Sequence, residues 1–292
     1  MRTSTLTALL FFAASHAALS QANHEIWLLQ VHENLGELSL SDPQNISQHP
    51  GYYDNQPSFL PDGSGLLYSS QQADGQMDVI RYDLATGSRQ QITKTPGSEF
   101  SPTVTPDGQH FSTIILEQDG TQLLQQYPLA GGQPEVLIPE VVIGYHCWAN
   151  DTLLLAFVLG ESFTLQRCVT TTGECSVVDE HIGRGMGMIP TFGLMSYVSK
   201  KDSANWTVST VNPISGRVSS PGVSMSGTED IAWRSNGALY RTQGTQLYRW
   251  RPSIEPGFEP VADLADLGIR GNLTRLAFSP DGSKLVVVAE EE

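Results

Sequence analysis

The sequence is short of positive charge. Sixteen lysines and arginines stand against 31 aspartates and glutamates, for a net charge of −15 with histidines neutral. Such a chain is a poor partner for nucleic acid or for an anionic membrane surface. Long apolar runs are missing as well. Beyond residue 22 no stretch reaches the about eighteen consecutive apolar residues that a spanning helix needs, which argues against membrane insertion. No segment keeps helical periodicity over ten residues, so a helical bundle is excluded. The histidines after residue 22 form no close ligand pair on one element, and His-Glu-x-x-His does not occur, which removes the simplest zinc-protease reading.

What is present begins with a leader. Residues 1–22 carry one charge, Arg2, then an apolar run from Leu6 to Ala14, then small residues ending Ser20-Gln21-Ala22. This pattern predicts a secretory signal peptide rather than an anchor. Removing 22 of the 292 residues leaves 270, enough for a large single all-β domain. The compartment expected for such a product is the periplasm, and the expected state is a monomer. Of three cysteines, Cys168 and Cys175 flank Val-Thr-Thr-Thr-Gly-Glu. A hairpin there would set them opposite one another, within disulfide reach. Cys147 reads as an apolar filler.

The main signal is a repeat. Asp62, Asp107, Asp151, Asn236 and Asp281 stand at turn sites spaced by 45, 44, 85 and 45 residues. The long gap spans two units, with a worn copy near Phe192-Gly193. A second marker keeps step: Gly87, Gly131, Gly173, Gly216 and Gly257 are 44, 42, 43 and 41 residues apart, each between strand-like runs where a glycine supplies a hairpin's positive φ. Each unit reads strand, Asp-Gly turn, strand, loop, strand, Gly hairpin, strand, the pattern of a four-stranded propeller blade. Five units are complete, at about 54–94, 98–138, 144–179, 184–222 and 228–263. The sixth starts at Asn272 and holds only two strands. Residues 24–47 supply a strand, a turn at Asn34-Leu35-Gly36 and another strand. The prediction is an all-β, six-bladed propeller in one domain, 23–292, its ring closed by N-terminal strands pairing with C-terminal ones.

The stretch from Asp54 to Gly87, "DNQPSFLPDGSGLLYSSQQADGQMDVIRYDLATG", resembles the repeat of TolB-like, WD40-like β-propellers. The stretches "ITKTPGSEFSPTVTPDGQHFSTI" and "NLTRLAFSPDGSKLVVV" resemble weaker copies. The resemblance covers the chain after the leader and leaves out the α/β domain that TolB carries before its propeller. It implies a stand-alone, non-catalytic propeller that binds cell-envelope proteins, a peptidoglycan-associated lipoprotein among the expected partners, with no cofactor. The same repeat occurs in prolyl-oligopeptidase-type peptidases, but the nearest string to their Gly-x-Ser-x-Gly elbow, Gly222 to Gly227, misplaces the second glycine.

The expected binding surface is the channel mouth, where loops run into the inner strands. Asp54, Glu99, Tyr145, His146, Arg184, Asp230 and Arg275 fall there and would make polar contacts within an apolar rim. Asp54, Glu99 and Asp230 around one mouth also suit a cation such as calcium. The alternative reading is a small metal-dependent hydrolase or lyase, or a ligand sensor, working in the channel. The Arg184-Gly185-Met186-Gly187-Met188 run reads as an irregular loop or an adaptable contact surface. The Pro-Asp-Gly aspartates are excluded from any site, because such side chains accept hydrogen bonds from turn amides two residues on.

Overall fold

In the computed structural model, residues 23–190, 192–219, 222–225 and 227–291 are described; the leader lies outside them. The chain opens with β1 (Asn23–Asn34) and β2 (Glu37–Asn45). Blade 1 follows with β3 (Asp54–Phe59), β4 (Gly65–Gln71), β5 (Met77–Asp83) and β6 (Arg89–Gln91). Blade 2 is β7 (Ser98–Val104), β8 (His110–Leu116), β9 (Gln122–Pro128) and β10 (Glu135–Ile138). Blade 3 is β11 (Ile143–Asn150), β12 (Leu153–Val158), β13 (Thr164–Val169) and β14 (Glu174–Glu180). Blade 4 is β15 (Ile182–Met188), β16 (Met195–Ser199) and β17 (Trp206–Val211), with two short outer pieces, β18 (Val218–Ser219) and β19 (Ser224–Met225). Blade 5 is β20 (Ile231–Trp233), β21 (Leu239–Gln243), β22 (Gln246–Trp250) and β23 (Glu259–Asp263). Then come β24 (Asn272–Phe278) and β25 (Lys284–Glu291).

Blade 6 is the composite the unfinished repeat requires, in the order β2-β1-β25-β24. β1 and β25 pair antiparallel from Asn23 opposite Glu291 to Gln30 opposite Lys284. In the other blades, too, the strand pairs are antiparallel, and outside blade 4 they join consecutive strands. The predicted turn chemistry is present. Asp62, Asp107 and Asp281 accept hydrogen bonds from the amides of Ser64, Gln109 and Ser283 at 2.9, 2.8 and 2.9 Å. Asn150 and Asn236 do the same for Thr152 and Ala238.

Two expectations need correction. Gly257 does not take positive φ; in that loop Ser253 does, at 64°. The residues from Arg184 to Met188 form strand β15 rather than a loop, with a register shift between Ile182 and Met186. The glycines serve close packing: a Cβ on Gly185 would lie 1.9 Å from the carbonyl oxygen of Glu229, so blades 4 and 5 meet there only over a glycine. Blade 4 also differs from the plain four-strand scheme, since β18 and β19 both pair with β17.

The hydrophobic core is divided among the seams between blades. Second strands are apolar on both faces because both are covered. In β25, Val286 and Val288 pack toward Leu66 and Tyr68 of blade 1, whereas Leu285 and Val287 pack toward Tyr240 and Leu247 of blade 5. Tryptophans cross two seams. Trp148 Nε1 donates to Ser112 Oγ of blade 2 at 2.9 Å, and Trp233 Nε1 to Ser196 Oγ of blade 4 at 2.8 Å. The disulfide joins Cys168 and Cys175, directly opposed on β13 and β14 with Cα atoms 4.1 Å apart.

Candidate functional site at the channel mouth

The inner strands β3, β7, β11, β15, β20 and β24 surround the central channel. Four of the seven expected site residues come together there. Arg184 Nε and Nη2 form a fork on Asp230, at 3.1 Å to Oδ1 and 2.7 Å to Oδ2. Arg275 Nη1 donates to the same Oδ1 at 2.6 Å, and its Nη2 donates to the Tyr145 hydroxyl at 3.1 Å. The Arg275 guanidinium also lies 5.0 Å from the Tyr145 ring centroid, a cation–π distance. Burial works against the charge on both guanidiniums. The Asp230 carboxylate between them more than offsets it, and both are held above the usual arginine range.

Neighbours extend the cluster. Glu229 accepts from the Arg184 amide at 2.8 Å and pairs with Lys200. The Lys200 ammonium sits 4.0 Å from the Trp206 ring centroid. Tyr53, which the sequence reading missed, lies within electrostatic reach of Arg275, Tyr145, Arg184 and Asp230, and burial pushes its hydroxyl up to about 12. An aromatic series leads outward: Tyr145 to Phe157 at 5.7 Å, then Phe157 to Phe163 at 4.9 Å between ring centroids. Phe163 is 48% exposed, so the charged centre has an apolar shoulder on blade 3.

Arg275 and Tyr145 also line a recess of about 240 Å³ that includes Gln56, Ser101, Thr103, His146 and Cys147. His146 is on β11, next to Tyr145 in sequence. Its Nε2 is 2.6 Å from Ser112 Oγ, and burial pulls the imidazole down to about 4, so it is neutral at physiological pH. Burial raises the Cys147 thiol to about 11, far from a reactive thiolate.

Asp54 and Glu99 lie elsewhere. Asp54 is buried, contacts His49 Nδ1 at 3.2 Å, and is pushed up to about 6 by burial. Glu99 is fully buried and accepts from the hydroxyls of Thr95, Thr93 and Tyr127. Counting explains the difference. Six residues before the turn residues Asp62, Asp107, Asn236 and Asp281 stand Gln56, Ser101, Asp230 and Arg275. Asp54 and Glu99 stand eight before. Between them and the channel position the ladders of β3 and β7 carry register shifts, with Gln56 and Ser101 at φ 58° and 52°. These bulges aim Gln56 and Ser101 at the channel and leave the carboxylates inside. Among the described residues, no group of three or more His, Cys, Asp or Glu is arranged to hold a metal ion.

Glu99 carries a pH prediction. Burial raises it from 4.5 to about 7, against the opposing hydroxyl of Thr95. The folded protein therefore binds this proton more readily than the unfolded chain. The stabilisation is fully present below the unfolded value and is lost as pH rises through the folded one. Thermal unfolding at a series of pH values should show Glu99 adding about 2 kcal/mol on going from about pH 8 to pH 5. Glu99→Gln, which mimics the protonated carboxyl, should flatten that slope by carrying the acid-end stability through to alkaline pH. An unchanged slope in the variant would remove Glu99 as its source.

No protein-family profile matches the chain, and no curated sequence is significantly similar. Solved structures do resemble it. A putative TolB from Agrobacterium tumefaciens is 14% identical with a TM-score of 0.70, the match covering 93% of this chain and 99% of that one. TolB from Acinetobacter baumannii is 15% identical with a TM-score of 0.55, over 92% of this chain and 64% of that one. A gluconolactonase from Xanthomonas campestris is 9% identical with a TM-score of 0.59, over 82% and 86%. These likenesses concern the fold, which is a TolB-like six-bladed propeller.

Proposed function

We propose that the protein is a non-catalytic, protein-binding propeller of the cell envelope. It works in the periplasm and takes its partner at the channel mouth. The observation that carries this reading is the Arg184–Asp230–Arg275–Tyr145 centre beside exposed Phe163. Fixed charges inside an apolar shoulder match the anatomy of a protein-binding surface, where aromatic and arginine anchors dominate. The TolB structures support a binding propeller, and a peptidoglycan-associated lipoprotein is the first partner to test. The Cys168–Cys175 disulfide suits an oxidising compartment. The gluconolactonase likeness points the other way, toward chemistry in the channel, but the mouth gathers arginines and tyrosines rather than a set of metal ligands.

The test places a photo-crosslinking residue at Phe163 of the full chain in cells. The expected result is one abundant cross-link to an envelope protein, lost when Arg184→Gln is added. Arg184 is about one-third exposed, so this change should leave the fold intact. No specific cross-link, together with stoichiometric metal in the purified protein, would replace this reading with the enzymatic one.

A further inference from the structure

The recess beside Arg275 is lined by donors. Arg275 has five N–H groups, and two bonds, to Asp230 and Tyr145, account for two of them. Gln56 Oε1 accepts from the Ser101 amide at 2.7 Å and from Ser69 Oγ at 3.2 Å, which turns its NH₂ group away from those partners. Ser101 Oγ and His146 Nδ1 are buried in the wall without a hydrogen-bond partner. The His146 tautomer follows from Ser112. That hydroxyl has one proton and two acceptors in reach, His146 Nε2 at 2.6 Å and the Thr103 carbonyl oxygen at 3.2 Å. The shorter contact takes the proton, and the neutral imidazole then keeps its own on Nδ1.

Charge agrees with this donor set. No aspartate or glutamate lines the recess. Two guanidiniums share the single carboxylate of Asp230, leaving one positive charge in excess within an otherwise acidic protein. The remaining wall is apolar, from Pro57, Pro102, Met186 and Leu276. A space of about 240 Å³ is at the small end of pockets that hold small organic ligands. The left-handed backbone of Gln56 and Ser101, at φ 58° and 52°, is strain of the kind retained at ligand clamps.

We propose that this recess binds a small organic monocarboxylate, its carboxylate on Arg275 and its short apolar tail toward Met186. This goes beyond the partner reading above and does not rest on it, since the ligand is a free small molecule.

The experiment is calorimetric titration of the purified protein with butyrate, with butyramide as the uncharged control of the same shape. A short peptide with a free C-terminal carboxylate provides a third arm. Butyrate should bind saturably, in the millimolar range or tighter, and butyramide should not bind. Ser101→Gly removes one donor while suiting the left-handed backbone, so it should fold normally and weaken butyrate by roughly tenfold. Arg275→Lys should weaken it further by loss of the forked geometry. No heat with butyrate, an equal response to butyramide, binding by the peptide alone, or unchanged affinity in Ser101→Gly would each overturn the proposal. Failure here leaves the cross-linking result untouched, so the two readings fall separately.

Discussion

A chain lacking residues 23–47 should give no cooperative thermal transition at all. The segment comprises only β1, β2 and a short turn, but β1 is the second-from-outside strand of blade 6 and holds β25 along its whole length. Ile26, Leu28, Leu29 and Val31 are 0–6% exposed, and burying each is worth about 1.5–3 kcal/mol. They pack in both directions, Ile26 and Leu28 toward blade 1, Leu29 and Val31 toward blade 5. Together they amount to roughly 6–12 kcal/mol, comparable to the roughly 5–15 kcal/mol that keeps a domain folded. It would also strip β25 of its outer partner, leaving only β24 beside it, and put Val286 and Val288 at an open edge. Circular dichroism and tryptophan fluorescence on heating would decide it. Partial recovery on adding a synthetic 23–47 peptide would attribute the loss to the missing strands. A truncated protein melting within a few degrees of the intact one would mean that five blades hold together alone.

The second large effect is expected at Asp230. Asp230→Ala leaves the Arg275 and Arg184 side chains, 16% and 32% exposed, without their shared carboxylate. Removing one side of a buried ion pair costs about 3–5 kcal/mol, which in a domain of this size lowers the melting temperature by on the order of 10 °C. The informative comparison is the double variant Asp230→Ala with Arg275→Leu. If the cost comes from the unpaired guanidinium, the double variant should be more stable than Asp230→Ala by about 2 kcal/mol or more, a coupling that a double-mutant cycle measures directly. Simple additivity would mean that Asp230 matters through packing or loop shape instead.

Much of the fold was legible because blade geometry is written locally. Asp62, Asp107 and Asp281 fix their turns through their own side chains, so spacing alone located the hairpins. The incomplete last unit and the strand pair at the start could combine in one way. The disulfide followed from two cysteines equally placed about a four-residue hairpin loop, Thr170 to Gly173. Gly257 misled because a glycine near the right place need not be the residue that turns; Ser253 does so.

The site was less legible, for a physical reason. Tyr145, Arg184, Asp230 and Arg275 were found from their nearness to the inner strands and do converge. Asp54 and Glu99 satisfied the same rule and point inward, because a bulge decides which face a side chain takes and leaves little trace in composition. A trace existed here. Gln56-Pro57 and Ser101-Pro102 recur one repeat apart, and each proline follows a bulged residue. Tyr53 offered no signal beyond standing before β3.

The seam in blade 6 has a consequence for the speed and order of folding. In the other five blades the pairs join strands close together in the chain, the furthest being β17 with β19 in blade 4, so these units need only short connections to close. Ile26 meets Val288, a contact that spans nearly the whole described chain. Loop-closure entropy makes such a contact slow to form. β1 is synthesised well before β25 and must therefore wait for it. During that interval the apolar β1 is exposed to chaperones, proteases and neighbouring copies. Five blades can assemble while the ring is still open, and the rate at which the protein becomes resistant to proteolysis should be that of the final closure.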